Sequence, residues 1–213
     1  MYTNMNFPAP LAVLGFLALC GGLAAAVLIT TVALFLGKPR LVRWTWRLSA
    51  IAGVAYFVLL IGFSIVSRER LLHQGDEKYF CEIDCHLAYS LVDVKTSASP
   101  TVPLKQYRVT VRTRFDEKTI SEHRGNGPLT PNPRIARLID SAGREYAPTD
   151  SEEASFNSEL RPGEAYNVDL TFKVPADAKD LKLLITSSGW EERLLIGHEN
   201  SWLHGRIYFV LST

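Results

Sequence analysis

Cys81 and Cys85, with His86 directly after them, form the one cluster in this 213-residue chain whose residue types and spacing could carry chemistry. The run reads Cys81-Glu82-Ile83-Asp84-Cys85-His86. Two thiolates four residues apart beside an imidazole can grip a soft or borderline ion such as copper or zinc. The same pair can instead close a disulfide, which an oxidising compartment favours. An extended strand would hold the two residues about 13 Å apart at 3.3 Å per residue, whereas a bridge needs Cα atoms within roughly 7 Å. Either chemistry therefore requires the chain to turn between them. Reactive dithiols usually read C-x-x-C at a helix start and haem attachment reads C-x-x-C-H, so the spacing here suits neither.

A second group, His198-Glu199-Asn200-Ser201-Trp202-Leu203-His204, precedes the last apolar run. Six residues between the histidines do not put both imidazoles on one helical face, so the pattern is not that of a zinc protease. In sandwiches whose first and last strands lie parallel and adjacent, the starts of those strands share one end. His198 and His204 would then join Cys81, Cys85 and His86 as candidate metal ligands. No G-x-S-x-G, H-E-x-x-H or phosphate-binding glycine loop occurs, so no residue is assigned a catalytic role and no enzyme activity is expected. No cofactor is expected unless copper or zinc occupies the cysteine–histidine group.

Two uncharged apolar runs stand before these groups and decide where they lie. Leu11–Leu36 is 26 residues without a charge and Leu48–Val66 is another 19. Each suffices to cross a hydrocarbon core of about 30 Å at 1.5 Å per helical residue. The connecting stretch Gly37–Arg47 carries Lys38, Arg40, Arg43 and Arg47 and no acid, while Met1–Pro10 has no basic residue. That asymmetry favours a cytoplasmic loop with both termini outside. The chain is therefore expected in the inner (cytoplasmic) membrane, residues 1–70 forming a two-span anchor, 71–78 a linker and 79–213 a domain in the periplasm or cell exterior. A cleaved signal peptide fits poorly, because no basic n-region precedes the first run and a second span follows at once. Trp44 and Trp46 suit the headgroup zone. Ala18, Gly22 and Ala26, at four-residue spacing, allow close helix approach. These five, with Trp202, are the candidate interface residues.

Charge divides along the same line. Residues 1–78 hold seven basic and three acidic side chains, and residues 79–213 hold sixteen and nineteen. A weakly acidic outer domain lacks the basic face of a nucleic-acid binder. The expected partners are the bilayer and a membrane or envelope protein.

Beyond residue 79, apolar and polar residues alternate. His86–Val94 alternates through Leu87, Tyr89, Leu91 and Asp93, and Tyr107–Phe115 sets Tyr107, Val109, Val111 and Thr113 against Arg108, Thr110, Arg112 and Arg114. That period of two belongs to half-buried strands. Further strands are expected at 134–140, 144–147, 165–174, 181–187 and 206–211, with Tyr208 facing the core. Turn residues separate them, and 121–133, with two glycines and three prolines, is expected to be a loop. About seven short strands predict an all-β sandwich behind the transmembrane helical hairpin. Asp140/Gly143/Tyr146, Leu160/Pro162/Gly163/Glu164 and Phe172/Val174/Pro175 before Leu181/Leu183 resemble motifs of an extracytoplasmic family of unknown function. The resemblance implies an immunoglobulin-like, telokin-type sandwich and supplies no catalytic residues. Pro162-Gly163 also suits a type II turn on its own account.

The function expected is a membrane-anchored binding or assembly module, such as an accessory subunit of a membrane complex. The alternative is a metal-handling or redox accessory protein. Its architecture resembles that of oxidase subunit II, although there the cysteines come late in the domain and are followed by His and Met ligands. Here the cysteines come first, and the only methionines are Met1 and Met5.

Overall fold

Helices that are apolar on every side cannot hide in a core formed with only one neighbour, and the first two elements show the consequence. In the computed structural model, which describes residues 2–81, 85–98, 103–119, 125–149 and 156–211, α1 (Ala9–Phe35) and α2 (Pro39–Val66) form an antiparallel hairpin. Both are long and apolar enough to cross a membrane. The turn between them is a Schellman motif: Lys38 N–H donates to the Ala33 carbonyl (2.8 Å) and Gly37 N–H to that of Leu34 (3.1 Å). Gly37 takes φ +61°, open to glycine at no steric cost. Pro39 then opens α2, where its missing N–H costs nothing. The connection expected over Gly37–Arg47 thus shrinks to a tight turn, and Arg40, Arg43 and Arg47 lie on the first turns of α2.

The strands build a sandwich of two five-stranded mixed sheets. In chain order they are β1 (Tyr2–Thr3), β2 (Arg70–Leu72), β3 (Glu77–Phe80), β4 (Leu87–Ala98), β5 (Leu104–Phe115), β6 (Arg134–Ile139), β7 (Glu145–Tyr146), β8 (Ala165–Pro175), β9 (Lys182–Ser187) and β10 (Ile207–Val210). One sheet runs β1-β3-β4-β5-β8, the other β2-β10-β9-β6-β7. The alternating residues of β5 face the core as expected, and Tyr89, Leu91, Leu170, Phe172, Leu138, Leu183 and Phe209 meet them there.

Several expectations need correcting. Among the described residues the sandwich has ten strands, several of them only two to four residues long, rather than about seven. The supposed linker 71–78 carries most of β2 and the start of β3, strands too short to show periodicity. On β4, a bulge between Leu91 and Asp93 turns Val94, not Asp93, toward the core and spares a carboxylate from burial. A parallel pair of early and last strands does exist, but its partners are β2 and β10, with Ile207 opposite Arg70. The strand after the cysteines lies in the other sheet. Tyr208 faces outward, because Ile207 and Phe209 take the core positions.

The contacts divide the chain into two units. The β unit comprises Met1–Asn4, Arg68–Gly189 and Gly205–Thr213, and the helical unit comprises Met5–Ser67 and Trp190–His204. The segment Trp190–His204, expected within the β domain, thus belongs with the helices.

Candidate functional site

Cys81 and Cys85 are joined by a disulfide, their Cα atoms 4.2 Å apart. The intervening residues 82–84 lie outside the described ones. Both sulfurs are thereby used, and a metal could take them as thiolates only after reduction. The bridge closes the β3–β4 connection just past the paired residues Phe80 and Leu87. Cys81 is buried, and its N–H donates to Asn4 Oδ1 (2.8 Å), while Asn4 N–H donates to the Tyr79 carbonyl (3.0 Å). These two bonds extend the parallel pairing of β1 with β3, where Tyr2 lies opposite Lys78 and Thr3 opposite Tyr79. Tyr2–Asn4, ahead of the first helix, are therefore stitched into the β unit beside the disulfide.

His86 is buried, its ring stacked on Phe115 at 5.5 Å. The Thr119 hydroxyl donates to the Asp116 carbonyl (3.0 Å), so it accepts from His86 Nδ1 at 3.0 Å. On the same strands sits a polar network that sequence reasoning missed. Arg114 forks onto Glu77, Nε to Oε1 and Nη2 to Oε2, both 2.8 Å, and Nη2 also reaches Asp116 Oδ2 (3.1 Å). The Tyr79 hydroxyl donates to Asp116 Oδ2 (2.6 Å). Register explains the geometry: Ala88 lies between Tyr79 and Arg114 across the sheet, and its methyl leaves room for the guanidinium to pass over it. Burial works against the Asp116 carboxylate, but bonds from Tyr79, Arg114 and the Lys118 backbone hold its pKa at about 2. The Arg114 hydrogen bonds, opposed by burial, lower that of Glu77 as well. The signal was present as the pairs Glu77/Tyr79 and Arg114/Asp116, each two apart along the chain at β3 and at the end of β5.

The family-like motifs serve turns. Asp140 accepts from the backbone N–H of Ala142 (3.0 Å) and Arg144 (2.9 Å), from Arg144 Nε (2.6 Å) and from the Tyr146 hydroxyl (2.9 Å). These bonds prevail over desolvation and hold its pKa at about 2. At the second motif Glu164 Oε2 accepts from Arg161 N–H, and Gly163 sits at φ +84°.

Two cations are buried where none was expected. Lys78 Nζ donates to the Ile185 carbonyl (2.6 Å) and lies 4.8 Å from the centre of the Phe80 ring. The Arg134 guanidinium lies 4.2 Å from the same ring centre.

The five proposed metal ligands divide between the units: Cys81, Cys85 and His86 fall in the β unit, His198 and His204 in the helical unit. His198 Nδ1 accepts from Asn200 N–H (3.0 Å), which leaves the proton on Nε2, 3.8 Å from Glu192 Oε2. Among the described residues no group of three or more His, Cys, Asp or Glu is placed to hold a metal ion. The acid pair Glu152-Glu153 lies outside them.

The interface candidates lie in the helical unit. Ala18, Gly22 and Ala26 line a cleft of about 450 Å³ between α1 and α2, opposite Leu48, Ser49 and Ala52. Trp44 and Trp46 are exposed near the basic turn, and Trp202 is exposed on the segment after β9.

No family model matches the chain, and no curated protein matches it. Among solved structures, a secreted protein of Mycobacterium tuberculosis is similar at 12% identity with a TM-score of 0.42, over 67% of this chain and 98% of that one. An uncharacterised β-sandwich protein of Clostridium difficile is similar at 8% identity with a TM-score of 0.41, over 68% and 96%. A conserved hypothetical protein of Bacillus anthracis gives 12% identity and a TM-score of 0.35, over 47% and 82%.

Proposed function

We propose that this protein is a two-span membrane protein whose extracytoplasmic β-sandwich acts as a binding and assembly module. The observation that carries the reading is the stitching of Tyr2–Asn4 onto β3 and Cys81. A cleavable leader would take these residues away from the sheet, whereas a retained helix keeps them in it. Two crossings return the chain to the side on which it began, as the shared unit of Tyr2–Asn4 and β3 requires. The basic turn supports a cytoplasmic position for the opposite end. Lys38, Arg40 and Arg43 also oppose the dipole at the start of α2, a cost that anionic lipid headgroups offset. The two turn motifs support placing the sandwich among the immunoglobulin-like extracytoplasmic domains.

Assembly is the better role for two reasons. The polar networks around Asp116 and Asp140 are spent on bonds within the fold. Among the described residues, the cleft of small residues between α1 and α2 remains open and is shaped for close helix approach. The test has two parts. Alkaline carbonate should leave the chain in the membrane pellet, and protease added outside spheroplasts should digest the β unit. Gly22→Leu should lower the native mass of the detergent-extracted particle, whereas Leu28→Ala should not. Release by carbonate, or a wild-type particle already of monomer mass, would overturn the reading.

A further inference from the structure

Residues 190–204 are built the opposite way round from a loop in water. Their polar groups turn inward: His198, Glu199 and Ser201 are buried, Asn200 Nδ2 donates to Glu192 (2.8 Å), and the Ser201 hydroxyl donates to the Leu195 carbonyl (2.5 Å). Ile196 packs inward, but three large apolar groups turn outward: Trp190 is 71% exposed, Trp202 51% and Leu203 74%. Leu203 is moreover held at φ +66°, a region that disfavours residues with a Cβ. Exposure and backbone strain at one leucine make poor sense in water.

Contacts within the helical unit fix the depth of this segment. The Tyr56 hydroxyl donates to the Leu194 carbonyl (2.7 Å), and Ile196 packs against Tyr56 and Leu60. Asn6 N–H donates to the Gly197 carbonyl (2.9 Å), and a Cβ on Gly197 would fall 2.6 Å from that of Phe7, so only glycine permits the approach. Tyr56 precedes the end of α2 by ten residues, about 15 Å along the helix axis. Half a hydrocarbon core is also about 15 Å. The segment therefore lies against the outer half of the apolar stretch. Non-helical backbone persists at such a level only where protein groups satisfy it, as Tyr56, Asn6 and Ser201 do. Leu11, Ile65 and Val66 are likewise exposed, on the helix ends of the same unit.

We propose that residues 190–204 form a membrane-inserted edge, with Trp190, Trp202 and Leu203 in contact with phospholipid of the outer leaflet. The exposed Glu191 and Arg193 reach back to the headgroups, as long charged side chains do. Trp44 and Trp46 supply the aromatic belt at one face of the bilayer, and this segment supplies it at the other. The proposal rests on the membrane-anchored reading.

The experiment uses the full chain with Trp44→Phe and Trp46→Phe, which leaves Trp190 and Trp202 as the only indoles. It is reconstituted in phosphatidylcholine–phosphatidylglycerol vesicles, and carbonate extraction is run on the same preparation. Lipid brominated near the headgroup should quench the fluorescence about twofold, with aqueous iodide nearly without effect. Adding Trp202→Gln should remove much of that lipid quenching while the chain stays in the pellet. Iodide quenching without lipid quenching, in a chain that resists carbonate, would overturn this inference and leave the anchor standing. Release by carbonate would overturn both. Shielding from lipid and iodide alike would mean that protein covers the patch and would also overturn it.

Discussion

In the β unit Phe172 and Phe209 are fully buried, whereas on the helices Leu28 and Val58 are 66% and 64% exposed. Both units are rich in large apolar side chains, and only the direction in which they point differs. A sandwich has two faces to bring together and so hides its apolar side chains from water. On the helical hairpin many large apolar side chains stay exposed instead, the arrangement expected of helices that face lipid. The contrast can be broken by substitution. Phe172→Ala should cost about 3 to 5 kcal/mol, through lost transfer energy and the cavity left behind. Leu28→Ala should change stability by less than about 0.5 kcal/mol. Leu28→Lys should cost about 3 kcal/mol in membrane insertion. Thermal melts followed by near-ultraviolet circular dichroism, with carbonate extraction, check all three. Equal effects of the two alanine substitutions would mean that α1 is covered by protein rather than lipid.

That contrast also marks what the sequence could disclose. The spans were legible because twenty apolar residues in a row have few other uses. β5 was legible because Tyr107, Val109 and Val111 repeat with period two. β1 and β2 were not, since two or three residues show no period and owe their conformation to neighbouring strands. Tyr208 was placed in the core by assuming the wrong phase of a four-residue strand, where a slip of one residue reverses every side chain. The Cys81–Cys85 bridge could be read as one of two options from spacing alone, and β10 could be paired with an early strand but not with the right one. The membership of residues 190–204 in the helical unit left one trace: Trp202 and Leu203 stand side by side directly after the polar run His198–Ser201.

The ion-paired networks around Asp116 and Asp140 sharpen the comparison from another side, because both lie in the β unit. Asp116 drops from an ordinary 3.8 to about 2 on folding, so between those values the unfolded chain binds more protons than the folded one. Its stabilisation is complete above about pH 4 and is lost as pH falls toward 2, roughly 2 to 3 kcal/mol in all. Asp140 titrates through the same window. Urea midpoints measured on descent through that range should fall steeply in the wild type and less steeply in Asp116→Asn. Equal slopes would show that the Tyr79–Arg114–Asp116 bonds do not survive in solution.

The disulfide should matter about as much to the β unit and not at all to the anchor. Closing a loop this short stabilises by about 2 kcal/mol in the chain-entropy account. Cys81→Ser with Cys85→Ser should lower the urea midpoint accordingly and leave carbonate resistance intact. Loss of membrane retention in that variant would mean that the pairing of Tyr2–Asn4 with β3, and not apolar length, holds α1 in place.

Within the β unit the smallest effect is expected at Lys182, whose ammonium lies 2.6 Å from Glu69 Oε1 and 5.2 Å from the centre of the Tyr208 ring. Geometry alone would make this a strong anchor for the strand entry after α2. Exposure argues otherwise: both side chains are partly open to water, at 30% and 49%. An ion pair in that setting returns little after its side-chain entropy is lost, about 0.2 to 1 kcal/mol. Partial burial raises the phenol pKa of Tyr208. Lys182→Met retains the aliphatic stem over the ring and removes only the charge, which separates the two contributions. Its melting temperature should stay close to wild type, and the residual difference should vanish in high salt as the pair is screened. A large, salt-independent loss would instead make Lys182 part of the core that Tyr208 was once expected to join.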